Sequence, residues 1–497
     1  MTVEKIQDFL NQLEKKYDVD SWVIEDIHIW PIIRIDLMMN LYYKVHKKDT
    51  TEINIWFKIH QTLKILSNTF SFYYAQLLDN QHNSKINLAD AVFLSDSDTR
   101  TRAGDVWYDK FCDPIVDYFN SKKIATLVIE KSQRYVFPRY RKSKYIQHQL
   151  DYILVKSAIS SKSYNENLKD YDKFLDFLDS KNLEIPLPEL KRIRLITSVI
   201  IAYSKYFKNI LQKTRARMGF TVSYYNPVGM GFNLACRGLG IPSVDIQHGI
   251  QGDYQGAYGR WYKIPKKGYE LLPSIFLCWS NHEAETIKKW NTLVSEWHKP
   301  VISGNVWMQF WNTHEKLKER DALIHQKNKN YILVTFSTID SQNEILIKKI
   351  KETIPLLDRN VFFRFRLHPT DLKKKLFIER LLTENKIEAY DIDKATNAPL
   401  YAILPEVDIH ITYASATVLE AESFGIPSII ISRDEGKHFS DQIARGSAVV
   451  ATNKQQLKKY IEVFLNDRKL KKKELDTKTF RAYDFLVSKM KKAKHIL

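Results

Sequence analysis

Pro242-Ser243-Val244-Asp245-Ile246-Gln247-His248-Gly249-Ile250, residues 242–250, reads as a short strand that ends at Ile246 and opens into a polar, glycine-containing loop. Working outward, Val222-Ser223-Tyr224-Tyr225 has strand character, and Met230 to Gly238 reads as a helix stopped by glycines. Downstream, Ser274-Ile275-Phe276-Leu277-Cys278-Trp279 is a further strand, a helix runs through Trp290, and Val301-Ile302-Ser303 closes the series at Gly304-Asn305. Strands alternating with helices predict a parallel sheet covered on both faces.

A second series repeats the pattern. A charged stretch, Glu315 to Lys329, precedes Tyr331-Ile332-Leu333-Val334-Thr335-Phe336, and a helix with Ile345, Ile347 and Ile350 follows. Strand-like runs then recur at Val361 to Leu367, Ile387 to Tyr390, Asp408 to Thr412, Ser428 to Ile431 and Ala448 to Val450. The fold class expected is α/β, with two Rossmann-like domains facing each other and an additional helical N-terminal region. The segment 1–90 reads as mainly helical and aromatic (Trp22, Trp30-Pro31, Trp56), and 91–314 as the first Rossmann-like domain. That domain opens with Ala91-Val92-Phe93-Leu94 and Ala125 to Ile129, and carries a helical insertion over about 140 to 215. The segment 328–465 reads as the second domain and 466–497 as a basic C-terminal helix. Ligands bind such sheets at the carboxyl ends of the strands, so the cleft between the domains is the expected site.

Composition narrows the function classes. With 44% hydrophobic and 27% charged residues the chain is globular rather than disordered. Its net charge of +18 favours an anionic partner. Zinc-finger spacing and a basic helix with heptads are missing, which argues against nucleic acid. Cys112, Cys236 and Cys278 are few and odd in number, pointing to a reducing compartment. The polar start and the lack of a run of ~18 apolar residues predict a soluble, cytoplasmic chain. Lys469, Lys471, Lys472 and Lys473 read as a solvated helix face, with peripheral contact to the anionic inner face of a membrane as a secondary expectation. His282 with Glu283 and Glu285 is a helical trio, and no metal site is expected. A GxGxxG loop is absent, which excludes a nicotinamide enzyme as the leading reading.

Three strand-end loops carry candidate chemistry. On the first domain, His248 can titrate near neutral pH and serve as a general base, with Asp245 or Asp253 orienting it or acting as base or nucleophile. Gln247, Gly249, Tyr254 and Glu130 are grouped with it on the acceptor side, and Gly249 and Gly252 allow a close backbone approach. On the second domain, Arg366 and His368 alternate with Phe365 and Leu367 and suit a nucleotide phosphate or base. Tyr413-Ala414-Ser415-Ala416-Thr417 turns into a helix bearing Glu420, where Ser415 or Thr417 would cap a helix end that attracts anions and Glu420 could bond a ribose. Ser337 and Thr338 follow the first strand of that domain and are expected near donor phosphates.

Taken together, Gln247-His248-Gly249, Arg366-Leu367-His368-Pro369 and Ser415-Ala416-Thr417 with Glu420 resemble motifs of polysaccharide-building GT-B enzymes. That group includes CDP-glycerol glycerophosphotransferases, capsular Kdo transferases and bacterial polysialyltransferases. The resemblance implies that the first element works on the acceptor and the other two hold the nucleotide. It implies a glycosyltransferase moving a sugar from a nucleotide-activated donor to a bacterial surface glycan or lipid-linked acceptor, with no cofactor and no metal. Gln247 stands where the glycerophosphotransferases have Trp, and Tyr413-Ala414-Ser415-Ala416 replaces their paired serines, which favours a sugar over glycerol phosphate. The alternatives are a nucleotide-sugar 2-epimerase of the same fold, a glycerophosphotransferase, and a non-catalytic glycan-assembly protein.

Overall fold

The two sequence series become two wholly parallel sheets. The structure, a computed structural model, describes residues 1–46, 87–132, 136–159, 164–313, 329–357, 360–466 and 479–492. The first sheet contains β1 (Ala91–Asp96), β2 (Thr126–Lys131), β3 (Lys144–Tyr145), β4 (Met218–Val222), β5 (Ser243–Ile246), β6 (Ile275–Cys278) and β7 (Lys299–Ile302). Their spatial order is β3-β2-β1-β4-β5-β6-β7. The second sheet contains β8 (Asn330–Thr335), β9 (Val361–Arg366), β10 (Tyr390–Asp391), β11 (Ile409–Thr412), β12 (Ser428–Ile430) and β13 (Ala448–Val450), in the order β10-β9-β8-β11-β12-β13. Both therefore follow the doubly wound order 3-2-1-4-5-6, the first sheet adding a seventh strand at its edge, and in each the strand order reverses between the first and fourth strand. Every residue of β4, β5, β6 and β11 is buried, as expected for parallel strands covered on both faces.

Local chemistry moves one boundary from its sequence expectation. The strand expected at Val222 to Tyr225 is Met218–Val222, because Ser223 takes a left-handed φ of 63° and ends it. Asn226 then caps the next helix, its side chain accepting from the N–H groups of Val228 and Gly229, and Pro227 occupies the first helical turn. The helix thus starts at Pro227 rather than Met230.

The N-terminal region is part of the first domain's core. Helices α1 (Val3–Lys16) and α2 (Trp30–His46) flank the antiparallel pair Val23–Ile24 and Ile27–His28, which Glu166–Asn167 extends from the helical insertion. Trp22, Trp30, Tyr171 and Phe174 pack edge-on and merge with Tyr224, Tyr258, Tyr269 and Phe276 in one hydrophobic cluster. Arg34, fully buried on α2, pairs with Glu14 and donates to the carbonyls of Gly256 (3.1 Å) and Gly259 (3.0 Å). At the other end, the helix Thr479–Lys492 returns to the first domain, packs on the helix Asp113–Ser121 and on β7, and buries Tyr483, Leu486, Val487 and Met490 in that domain's core. The basic run 469–473, Trp56 and the stretch 315–328 lie outside the described residues. Among the described residues no helix is long and apolar enough to cross a membrane, and no cluster of three acidic, His or Cys side chains is placed to hold a metal.

Candidate functional site

A cavity of ≈ 490 Å³ opens where the two sheets' switch points face each other. That size is ordinary for a small-molecule site, and this is where doubly wound sheets hold ligands. The loops after β4 and β5 supply Tyr225, His248, Gly249 and Ile250, with Tyr254 and Gln255 further along the chain. The loops after β8, β9 and β11 supply Ser337 and Thr338, Arg366 to Pro369, and Ala414 to Thr417 with Glu420. The loops meet closely across the cleft, since a Cβ on Gly249 would stand 3.8 Å from that of Ala416.

His248 sits past the last residue of β5 and stacks on Tyr225, with Tyr225 Oη 3.2 Å from its Nε2. Burial, together with the charges of Lys110 and Lys131, lowers its pKa to about 4, so the imidazole is neutral at pH 7 and able to accept a proton. Gln247 is buried behind it and fixes the loop: its Nε2 donates to the Gly249 carbonyl (2.7 Å) and its Oε1 accepts from the Trp279 N–H (2.5 Å).

The carboxylates expected on the first domain do not reach the cleft. Asp245 is fully buried within β5, accepting from the Tyr224 N–H (3.1 Å) and the Tyr258 hydroxyl (2.9 Å), and burial pushes its carboxyl up to about 7. Asp253 is ion-paired with Lys289 at 2.5 Å away from the cavity. Glu130, expected on the acceptor side, is held at the end of β2 between Arg100 and Arg139 in a closed ionic cluster. Tyr413 packs against the second domain's core instead of lining the cavity. Asp245 and Glu130 spend their polarity on the interior of their own domain, whereas Asp253 spends it on an exposed lysine.

The other expected second-domain residues do line the cleft. Arg366 donates to the carbonyls of Ala395 (2.5 Å) and Ala398 (2.7 Å), and burial lowers it to about 10, which leaves it cationic. His368 is lowered by burial. Ser415 Oγ accepts from the Thr417 N–H at 3.2 Å where the short helix Thr417–Ser423 begins, but the N-cap position is Ala416, so neither Ser415 nor Thr417 caps that helix as expected. Glu420 accepts from Tyr401 Oη (2.8 Å), which in turn accepts from Asn305 Nδ2 (2.9 Å) on the segment linking the domains. Burial raises Glu420, and Lys110 and Arg366 oppose that rise.

Sequence reasoning missed several lining residues. Lys110 and Phe111 follow the hairpin Arg100–Ala103/Val106–Asp109, a loop with no local motif. The Lys110 ammonium lies over the Phe111 ring at 5.2 Å. Val3, Ile6, Met38, Met39, Tyr42 and Tyr43 come from α1 and α2. Glu435 and His438 follow β12, a strand end like the others, and that position was their one available signal.

No family model matches the sequence, and no curated protein matches it. Solved structures do match. The UDP-GlcNAc 2-epimerase of Methanocaldococcus jannaschii, solved with UDP-GlcNAc and UDP, superposes with a TM-score of 0.50 at 12% identity, covering 80% of this chain and 98% of that one. The UDP-GlcNAc 2-epimerase of Neisseria meningitidis bound to UDP-GlcNAc gives 0.49 at 12% identity, covering 81% and 99%. MurG of Acinetobacter baumannii gives 0.41 at 10% identity, covering 80% and 99%. The chain has the GT-B fold. Its paired Rossmann-like sheets and interdomain cavity are the features of that fold, and identities this low speak to the fold alone.

Proposed function

We propose that the cleft binds a nucleoside-diphosphate sugar, with its nucleotide on the second domain, and epimerises the sugar at C2. One observation carries the reading: a neutral His248 and Lys110 on the first domain face Arg366, His368 and Glu420 on the second across a single cavity. A proton on C2 of a glycoside is not acidic by itself. Its removal becomes feasible when the C1–O bond breaks at the same time and the departing phosphate's charge is stabilised. Lys110 and Arg366 meet that charge in this reading without a metal ion, and His248 accepts the proton. The carboxylates that an external acceptor would call upon, Asp245 and Asp253, are committed elsewhere, and α1 and α2 wall one side of the cavity. Two fold neighbours are UDP-GlcNAc 2-epimerases, which makes UDP-GlcNAc the first probe.

Glycosyl transfer is the second reading, and the wall of Met39, Tyr42, Tyr43 and Trp279 favours it, because aromatic faces suit a glycan or lipid-linked acceptor. Incubation with UDP-GlcNAc alone in D₂O separates the two. Epimerisation yields the C2 epimer with deuterium at C2 and no acceptor. Transfer leaves the donor intact until an acceptor releases UDP. Failure of CMP, CDP, UDP, GDP and dTDP all to raise the melting temperature would reject both.

A further inference from the structure

We propose that Glu435 and His438, on the loop after β12, form a proton-handling pair that serves the face of the sugar ring opposite His248. The inference rests on the C2 epimerisation reading. Inversion at a carbon requires a proton to leave from one face and return to the other, so a single base on one wall cannot complete it. The cavity's titratable side chains stand on both domains, and two groups of them pair a histidine with a neighbouring proton donor or acceptor. His248 with Tyr225 occupies the first-domain wall, and Glu435 with His438 occupies the second.

The geometry of the pair is specific. Glu435 is 3% exposed, yet its residue lines the cavity. Its Oε1 accepts from Tyr42 Oη at 3.1 Å, and its Oε2 lies 3.7 Å from His438 Nε2. The Nδ1 of His438 is buried with no hydrogen-bond partner among the described residues. The edge of Tyr254 packs on the imidazole, ring centres 6.2 Å apart. Burial and neighbouring Asp434 push the Glu435 carboxyl up to about 7, so it holds a proton near neutral pH; burial lowers His438 to about 4, leaving it neutral. Tyr42 belongs to α2, so the N-terminal helices position this pair.

The proton and electron count closes. His248 takes the proton from C2, the C–H electrons form a C1–C2 double bond, and the C1–O pair leaves on the nucleotide's phosphate oxygen. The Glu435 carboxyl then gives its proton to C2 from the other face, the π electrons form the new C–H bond, and the phosphate oxygen's pair rebuilds the C1–O bond. Solvent carries the proton from the imidazolium back to the carboxylate.

The test is Glu435→Gln assayed with UDP-GlcNAc in D₂O, with melting temperature and UDP binding measured alongside. Epimer formation should fall about 100-fold or more, the usual contribution of a positioned acid or base. Deuterium should still enter C2 with its original configuration, because His248 removes and returns the proton on its own face. A variant that makes epimer at the wild-type rate overturns the pair, as does one in which exchange and inversion fall together. Should Glu435→Gln fail to melt cooperatively, Tyr42→Phe replaces it, and an unchanged ratio of exchange to epimer then overturns the pair. A wild-type chain that neither exchanges nor epimerises overturns the underlying reading, and this inference with it.

Discussion

Glu130 offers the sharpest separation between a cleft residue and a structural one. Its carboxylate is fully buried and accepts from Arg100 Nη2 (2.7 Å), Arg100 Nε (3.3 Å) and Ser143 Oγ (2.6 Å), with Ser97 also bonded and Arg139 Nε at 3.6 Å. Glu130→Ala leaves two guanidinium groups buried beside a missing anion, a loss of about 3–5 kcal/mol. At about 2 °C per kcal/mol for a domain of roughly 200 residues, the melting temperature should drop by about 6–10 °C. The electrostatics of the cluster run the same way. Burial alone would raise the carboxyl, but Arg100 and Arg139 outweigh it and bring the pKa from 4.5 down to about 2. A depressed folded pKa means stability fully present above pH 4.5 and lost as pH falls toward 2, roughly 3 kcal/mol in all. Calorimetry of wild type and Glu130→Ala from pH 2 to 7 should show that acid limb shrink in the variant, with UDP binding retained at 20 °C. A variant that melts within about 1 °C of wild type but loses turnover would refute the structural assignment and return Glu130 to the acceptor side.

Three further outcomes follow from the same packing. Asp245, raised from 3.8 to about 7 by burial, costs the fold stability as pH rises across that window, so Asp245→Asn should flatten the pH 4–7 stability profile and gain up to about 4 kcal/mol over wild type at pH 8; a steeper profile in the variant counts against this. Lys110→Met should weaken UDP binding about tenfold by calorimetry, about 1.4 kcal/mol, with an unchanged melting temperature, and equal affinities would remove Lys110 from the phosphate site. Arg34→Met should destabilise by about 3–5 kcal/mol because it strands Glu14, whereas the double variant with Glu14→Gln should recover most of that loss in urea unfolding.

Both sheets were legible because parallel strands covered on two faces read as continuous apolar runs, Tyr331 to Phe336 and Ser274 to Cys278 among them. The same double cover hid the true place of Asp245. In a half-exposed sheet an acidic residue on a strand would point to solvent, but in β5 both faces are covered, so Asp245 bonds Tyr258 and Tyr224 inside the layer. His248, two residues past the end of β5, is the first titratable side chain there that reaches the cleft. The elements Arg366-Leu367-His368-Pro369 and Ser415-Ala416-Thr417 could be placed for that reason, since each follows a strand end. Lys110, Tyr42 and Met38 could not. They arrive by tertiary packing from a hairpin and from α2, and no local spacing records which cavity a helix will wall.

The N-terminal helices also bear on how the cleft opens. On the first-domain side α2 is held by the buried Arg34, whose partners on Gly256, Gly259 and Glu14 would cost several kcal/mol to break. On the second-domain side the ties are lighter: the Val3 N–H to Asp434 Oδ2 (2.8 Å), Tyr42 to Glu435 (3.1 Å), Lys437 with Glu4, and His282 Nδ1 with Asp441 Oδ1 (3.0 Å) from the neighbouring helix. Exposed ion pairs such as Lys437 with Glu4 contribute about 0–1 kcal/mol each. The weaker seam therefore lies between α1–α2 and the second domain. When the domains part, the helices should travel with the first domain, and Tyr42 should leave Glu435. Closure over a nucleotide sugar would then restore that hydrogen bond, so in this fold the wall that shapes the cavity and the contact that positions its second proton carrier form in the same movement.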